Sequence, residues 1–176
     1  MKCNLKYSLV AAALCLMAGA AQAQQATVSV TGRITNTACT LSVDNVTMGD
    51  VPISEYASAS VPSTAYRKNF NITLGGCLLS TLSSASLKFT GSTISGDTAT
   101  LALTGTGVAQ GFGVRISSND SFHGSPASVV FGTSVFNWNL ASNRTVYQFQ
   151  AYYYKYGTTA KPGTANASAT VTLTYA

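Results

Sequence analysis

The side chains able to do chemistry are few, and their spacing limits what they could do. Histidine occurs once, as His123 beside Gly124 and Ser125 in a turn-like stretch, and one imidazole cannot support both a metal site and a triad. The five acids, Asp44, Asp50, Glu55, Asp97 and Asp120, are dispersed with no close pair in sequence, although distant carboxylates can converge in space as they do in glycosidases. No Gly-x-Ser-x-Gly nucleophile elbow occurs. Catalysis has little to stand on, and no metal or cofactor is expected. The aromatic run Tyr147, Phe149, Tyr152, Tyr153, Tyr154 and Tyr156 could form a sugar-stacking platform. Yet a period of two puts Tyr147, Phe149, Ala151 and Tyr153 on one face, with Tyr152 and Tyr154 on the other. Core packing plus one subunit-facing surface is the favoured reading, since aromatics suit strands and fill cores. Trp138, between Asn137 and Asn139, reads as a buried anchor.

The remaining reactive groups are thiols, and their chemistry depends on the compartment. Lys2 and Lys6 precede an apolar run at about 9–20, and Ala21-Gln22-Ala23 gives the small-x-small pattern of a signal-peptidase site. The run is too short to cross a hydrocarbon core of ~30 Å as a helix. Residues 1–23 are expected to be a removed signal peptide, with Gln24 as the mature N-terminus. A lipid anchor at Cys15 is disfavoured because Leu14 precedes it. Of four cysteines, Cys39 and Cys77 then remain. In an oxidising compartment an isolated pair most simply forms one bridge, since neither a metal site nor a nucleophile has partners here. Closing a loop of roughly 40 residues is worth about 4 kcal/mol in the chain-entropy model.

About 153 mature residues suit one domain with a real core. Eight of the ten Lys and Arg stay in the mature chain against five acids, a net charge of +3. Only Arg67-Lys68 are adjacent, so there is no basic cluster for nucleic acid. No later stretch is expected to span a membrane.

The elements that must position these groups read as strands. Val28, Val30 and Ile34 alternate with polar residues, with Gly32 in the third place of the series. Alternation recurs at Phe70, Ile72 and Leu74, at Leu87 and Phe89, at Leu101 and Leu103, and at Phe112, Val114 and Ile116. A short strand is expected at 129–131 and a longer one at 146–154. The final series is Ala167, Ala169, Val171, Leu173 and Tyr175. The stretch 50–65, with Pro52 and Pro62, reads as loop plus an edge strand. Short strands between Gly/Ser/Asn turns, without amphipathic helices, predict an all-β sandwich or barrel. The first and last strands are the clearest alternating segments. An apolar-alternating strand at a free terminus is an aggregation hazard unless something pairs with it, though it could simply open its own sandwich.

Several motifs in order carry a resemblance. They are Val30-Thr31-Gly32-Arg33-Ile34 before Thr37-Ala38-Cys39, the strand from Phe70 into Cys77, and Gly111-Phe112-Gly113-Val114-Arg115-Ile116. Tyr152-Tyr153-Tyr154, Pro162-Gly163-Thr164-Ala165-Asn166-Ala167 and the ending Thr174-Tyr175-Ala176 follow. Across essentially the whole mature length the chain resembles the pilin subunits of chaperone–usher fimbriae, particularly the type 1 fimbrial family. Gly163 and Tyr175 occupy the family's places fourteenth from the C-terminus and penultimate. Gly75-Gly76 ahead of Cys77 departs from the family's more ordinary strand end and puts the local pairing in question.

The resemblance implies an incomplete immunoglobulin-like β-sandwich lacking its final strand. Residues 24–36 would be an N-terminal donor strand and 37–176 the pilin domain. Val28, Val30, Gly32 and Ile34 would fill a neighbour's groove, and the Val171, Leu173, Tyr175 strand would border this subunit's own. Pilin strand donation is a known form of strand addition. The implied partners are a periplasmic chaperone, an outer-membrane usher and neighbouring pilin subunits. The implied location is a cell-surface fimbrium, reached through the periplasm, that supports adhesion. A self-contained secreted β-sandwich binding carbohydrate or a host receptor is the alternative.

Overall fold

Alternating apolar residues become strands where their inward side chains meet a second sheet. The computed structural model describes residues 29, 31, 32, 38–124 and 126–176. All its regular elements lie in one unit, Asn36–Ala176; Ser29, Thr31 and Gly32 belong to a separate N-terminal unit. The strands are β1 (Thr40–Val43), β2 (Lys68–Gly75), β3 (Ala85–Gly91), β4 (Thr93–Ile94), β5 (Asp97–Leu101), β6 (Phe112–Ser118), β7 (Val135–Asn137), β8 (Val146–Lys155) and β9 (Ala169–Tyr175). They form a six-stranded sheet in the order β1-β2-β8-β6-β5-β4 and a three-stranded sheet in the order β7-β3-β9. Every strand pairing is antiparallel.

Two-residue periodicity fixes which side chains enter the core. Phe70, Ile72 and Leu74 of β2 and Tyr147, Phe149 and Ala151 of β8 point inward from the larger sheet. Ala85, Leu87 and Phe89 of β3 meet them from the smaller one. Phe89 and Phe149 touch edge to face across the layers, with centroids 5.0 Å apart. Each such buried aromatic contributes on the order of 1.5–3 kcal/mol of apolar burial. Trp138 is buried as expected, and its Nε1 donates to the Arg144 carbonyl at 2.6 Å.

Cys39 and Cys77 form a disulfide with Cα atoms 4.9 Å apart, joining the start of β1 to the end of β2. The Gly75-Gly76 step does not disturb that edge, for Gly75 stays in register opposite Thr40. A Cβ at Gly75 would lie 2.9 Å from the Thr40 hydroxyl, so a small residue is what allows the close approach.

Two local expectations change, and one strand forms that the pattern did not show. The stretch 50–65 holds no strand; it contains a 3-10 turn at Ile53–Tyr56 and the start of another at Thr64–Tyr66. Residues 129–131 are buried but pair with no single strand: Val129 N–H donates to Ile116 of β6, and Phe131 N–H to Thr98 of β5. The segment crosses between strands, so its alternation marks burial without a ladder. Instead, β7 forms at Val135–Asn137 against β3.

Candidate functional site: the open seam of the sandwich

A sandwich closes its core only when both long edges are covered, and among the described residues one is not. β9 pairs with β3 along seven residues, from Ala85↔Tyr175 to Gly91↔Ala169, and ends its sheet. The register continues past the strand end: Ser84 and Ala176 exchange N–H···O bonds of 3.2 and 3.1 Å. In an antiparallel ladder, hydrogen-bonded and non-hydrogen-bonded pairs alternate. Thr170, Thr172 and Thr174 therefore bond to β3. Ala169, Val171, Leu173 and Tyr175 turn their N–H and C=O groups to the free edge, where no strand pairs with them among the described residues.

Behind that edge lies a cavity of about 1000 Å³. Its floor comes from the core, including Phe70, Phe89, Leu101, Val114 and Ile116. One wall is Ala165, Ala167, Ala169 and Val171; the other is Val43 at the end of β1, at the edge of the larger sheet, with Val46, Met48 and Ile53 beyond it. Protein interiors seldom contain voids much larger than a water molecule, so an apolar space of this size is a gap in the packing. Val43, Val46 and Ile53 are exposed beside it, which costs apolar hydration until something covers them.

The motif glycine Gly163 and the three residues expected at the groove border take different places. Gly163 lines the cavity, and its role is backbone contact. A Cβ there would sit 2.6 Å from the Ala109 nitrogen and 2.7 Å from the Val108 carbonyl carbon. That approach lets Thr164 N–H reach Gly107 O at 2.8 Å and Ala109 N–H reach Thr164 O at 2.9 Å. Val171 is half-buried on the cavity wall. Leu173 packs against the core outside the cavity lining, and Tyr175 is exposed opposite Ala85. Of the expected donor residues, Val28, Val30 and Ile34 lie outside the described residues, and Gly32 is exposed.

Two polar devices hold the cavity lining. Tyr153 Oη donates to Ala165 O at 2.9 Å and so fixes the 162–167 loop. Tyr56 packs edge to face on Phe112, and its hydroxyl donates to Tyr153 O at 3.3 Å. Burial, with smaller contributions from Tyr153 and Glu55, pushes Tyr56 up to about 12, so it stays a neutral donor. In the floor, β5 and β6 share only the pair Leu101↔Val114. On the opposite face Arg115 donates to Asp97 Oδ2 at 2.8 Å and to Thr100 Oγ1 at 2.8 Å, and it lies 3.3 Å over the Tyr154 ring. The Thr100 hydroxyl donates in turn to Asp97 at 2.7 Å. Burial alone would raise the Asp97 carboxyl, but the bonds from Thr100, Arg115 and Ala99 N–H outweigh it and hold the group below its usual range.

The sequence pattern located β9 but not the wall at 43–53, which is irregular and has no period to read. The Asp97–Arg115 clasp escaped as well, because eighteen residues separate its partners and only the β5–β6 pairing brings them together.

Comparison with known proteins agrees with this geometry. Residues 28–176 match the family model described as fimbrial protein. The chain belongs to the fimbrial protein family. Among its fimbrial relatives, the fimbrial-like protein SfmA of Escherichia coli strain K12 is 32% identical over 184 residues, covering 99% of both chains. A type-1 fimbrial protein subunit of Serratia marcescens is 31% identical over 186 residues, covering 97% of this chain and 98% of that one. The fold is similar to that of the P pilus rod subunit PapA, with a TM-score of 0.63 at 20% identity, covering 86% of this chain and all of PapA. The all-β sandwich is thus the pilin form of the immunoglobulin-like fold. No helix among the described residues is long and apolar enough to cross a membrane.

Proposed function

We propose that this fimbrial protein polymerises by donor-strand exchange, taking a neighbour's extension into its open seam and offering residues 24–36 to the next subunit. The observation that carries this reading is the coincidence of an unpaired strand edge with an apolar cavity along it. A small ligand would use the cavity but leave the edge unsatisfied; an extended peptide uses both, bonding its main chain to β9 and seating alternate side chains below. Val28, Val30 and Ile34 supply that alternation, and Gly32 suits a point where the groove is shallow. Their burial is worth roughly 5–9 kcal/mol gross, at about 1.5–3 kcal/mol per side chain. That is comparable with the ~5–15 kcal/mol net stability of a whole domain.

On this reading the chain is a shaft or adaptor subunit. It is exported by its leader, held in the periplasm by a chaperone that occupies the seam, and delivered to an outer-membrane usher. Its role is structural: His123 is packed inside the protein, and the sparse acids are used for local bonding at Asp97 and Asp120. A self-contained carbohydrate-binding sandwich is disfavoured, because such a domain would close its own edge. Deleting residues 24–35 tests the reading. The deleted chain should accept a donor yet fail to donate, so mixing it with intact chain should shorten the polymer ladder in proportion to its share. A ladder of unchanged length would contradict it.

A further inference from the structure

The lone histidine is enclosed in the sandwich at the turn following β6. Its side chain has no exposed surface. The ring stacks on Tyr147 of β8 at 4.0 Å between centroids and meets Trp138 edge to face at 5.1 Å. Nδ1 lies 3.1 Å from Asp120 Oδ2. Asp120 also accepts from the N–H of Phe122 at 2.9 Å and of Gln148 at 3.3 Å, so it ties the turn to β8. A carboxylate at Nδ1 fixes the proton there, leaving Nε2 of the neutral ring as a lone pair. Nε2 is buried with no hydrogen-bond partner among the described residues.

We propose that His123 is a proton-sensitive latch: neutral, it packs the 120–124 turn against β8 and Trp138, and protonated, it releases that turn. Protonation would convert Nε2 into a buried N–H donor with no acceptor, which is the costly kind of unsatisfied group. The titratable and charged groups around the ring are Asp120 in the same turn, Tyr147 on β8, and Arg144 just before β8. Asp120 and the Tyr147 face favour the cation. Burial and the positive charge of Arg144 oppose it, and burial is the largest influence, so the imidazole is held below its usual range. Tyr147 is pushed up, chiefly by burial, and stays neutral. A cleft of about 310 Å³ bordered by His123, Ser128, Ser134 and Asn137 gives a displaced ring a way out to water.

The direction of the pH response follows from linkage. A histidine depressed in the folded state binds a proton more readily when released. The stability it confers is therefore full above about 6.5 and is lost as pH falls through its folded value. Asp120 is also held low, the three hydrogen bonds outweighing burial, so its own loss lies in a separate window below the ordinary 3.8.

Because the chain has one histidine, its imidazole Cε1–H resonance in the full-length protein is unambiguous. Titration from pH 8 to 5 should give a midpoint below 6.5. Across the same range the protection factors of the Phe122 and Gln148 amides should fall, by up to about tenfold for each unit of depression. A midpoint at or above 6.5, or protection that does not change across the transition, would overturn the proposal. The H123F and H123N variants give an independent check by denaturant unfolding. Wild type should lose stability between pH 7.5 and 5, and a folded variant should lose less; equal losses would count against the latch. If neither variant folds, the wild-type titration and exchange decide alone.

Discussion

Gly163 shows how a single residue can be constrained by backbone rather than by side-chain chemistry. Any Cβ at this position meets the main chain of 107–109, which cannot swing aside as a side chain would. Gly163→Ala should therefore lower stability by about 1–3 kcal/mol, as overpacking does, and thermal unfolding would detect it. The motif pointed to Gly163, but only the structure shows what it touches. Asp97 was visible only as one of five scattered acids. Held low by Thr100, Arg115 and Ala99 N–H, it confers stability that is present above its ordinary 3.8 and lost as pH falls through the lower folded value. Asp97→Asn should melt earlier at neutral pH and show a flatter acid limb below about pH 4. A melting profile parallel to wild type throughout would show that the clasp does not hold β5 to β6.

Among the elements, β9 carries a distinctive signature. Its alternate residues face different partners, so amide exchange should alternate too. Without a donor strand, Thr170, Thr172 and Thr174 should be protected, while Val171, Leu173 and Tyr175 exchange quickly. Adding a peptide of residues 24–35 should protect the second set and leave the first little changed. Uniform protection before the peptide arrives would mean that the edge is already covered. The strands that the sequence made legible, β2, β3, β6, β8 and β9, are those with alternation long enough to read and one face on the core. β7 has only Val135, Phe136 and Asn137, and its middle residue alone is buried, so no period exists to detect. Residues 129–131 misled for the opposite reason: Val129 and Phe131 are buried, but their N–H groups go to two different strands.

At the scale of the molecule, the described residues form a sandwich stapled at one edge and open at the neighbouring seam. The Cys39–Cys77 bridge fixes β1 to β2, so replacing both cysteines by serine should cost about 2–5 kcal/mol and make the chain most fragile when no strand fills the seam. The sandwich class was readable from the recurring alternation, whereas its incompleteness came only through the family resemblance that the ordered motifs carry. The cavity was not readable, because its walls come from β9, from the floor strands and from an irregular segment far apart in sequence. The central claim is that the seam must be filled for the fold to be stable. Its most direct test is thermal unfolding of two versions of the chain made in the periplasm without a chaperone. One begins at Thr37; the other carries a linker and a copy of residues 24–35 after Ala176. The completed chain should be a monomer melting more than about 10 °C above the truncated one, which should be unstable or aggregate. Cooperative melting of both at the same temperature would show that the seam needs no strand.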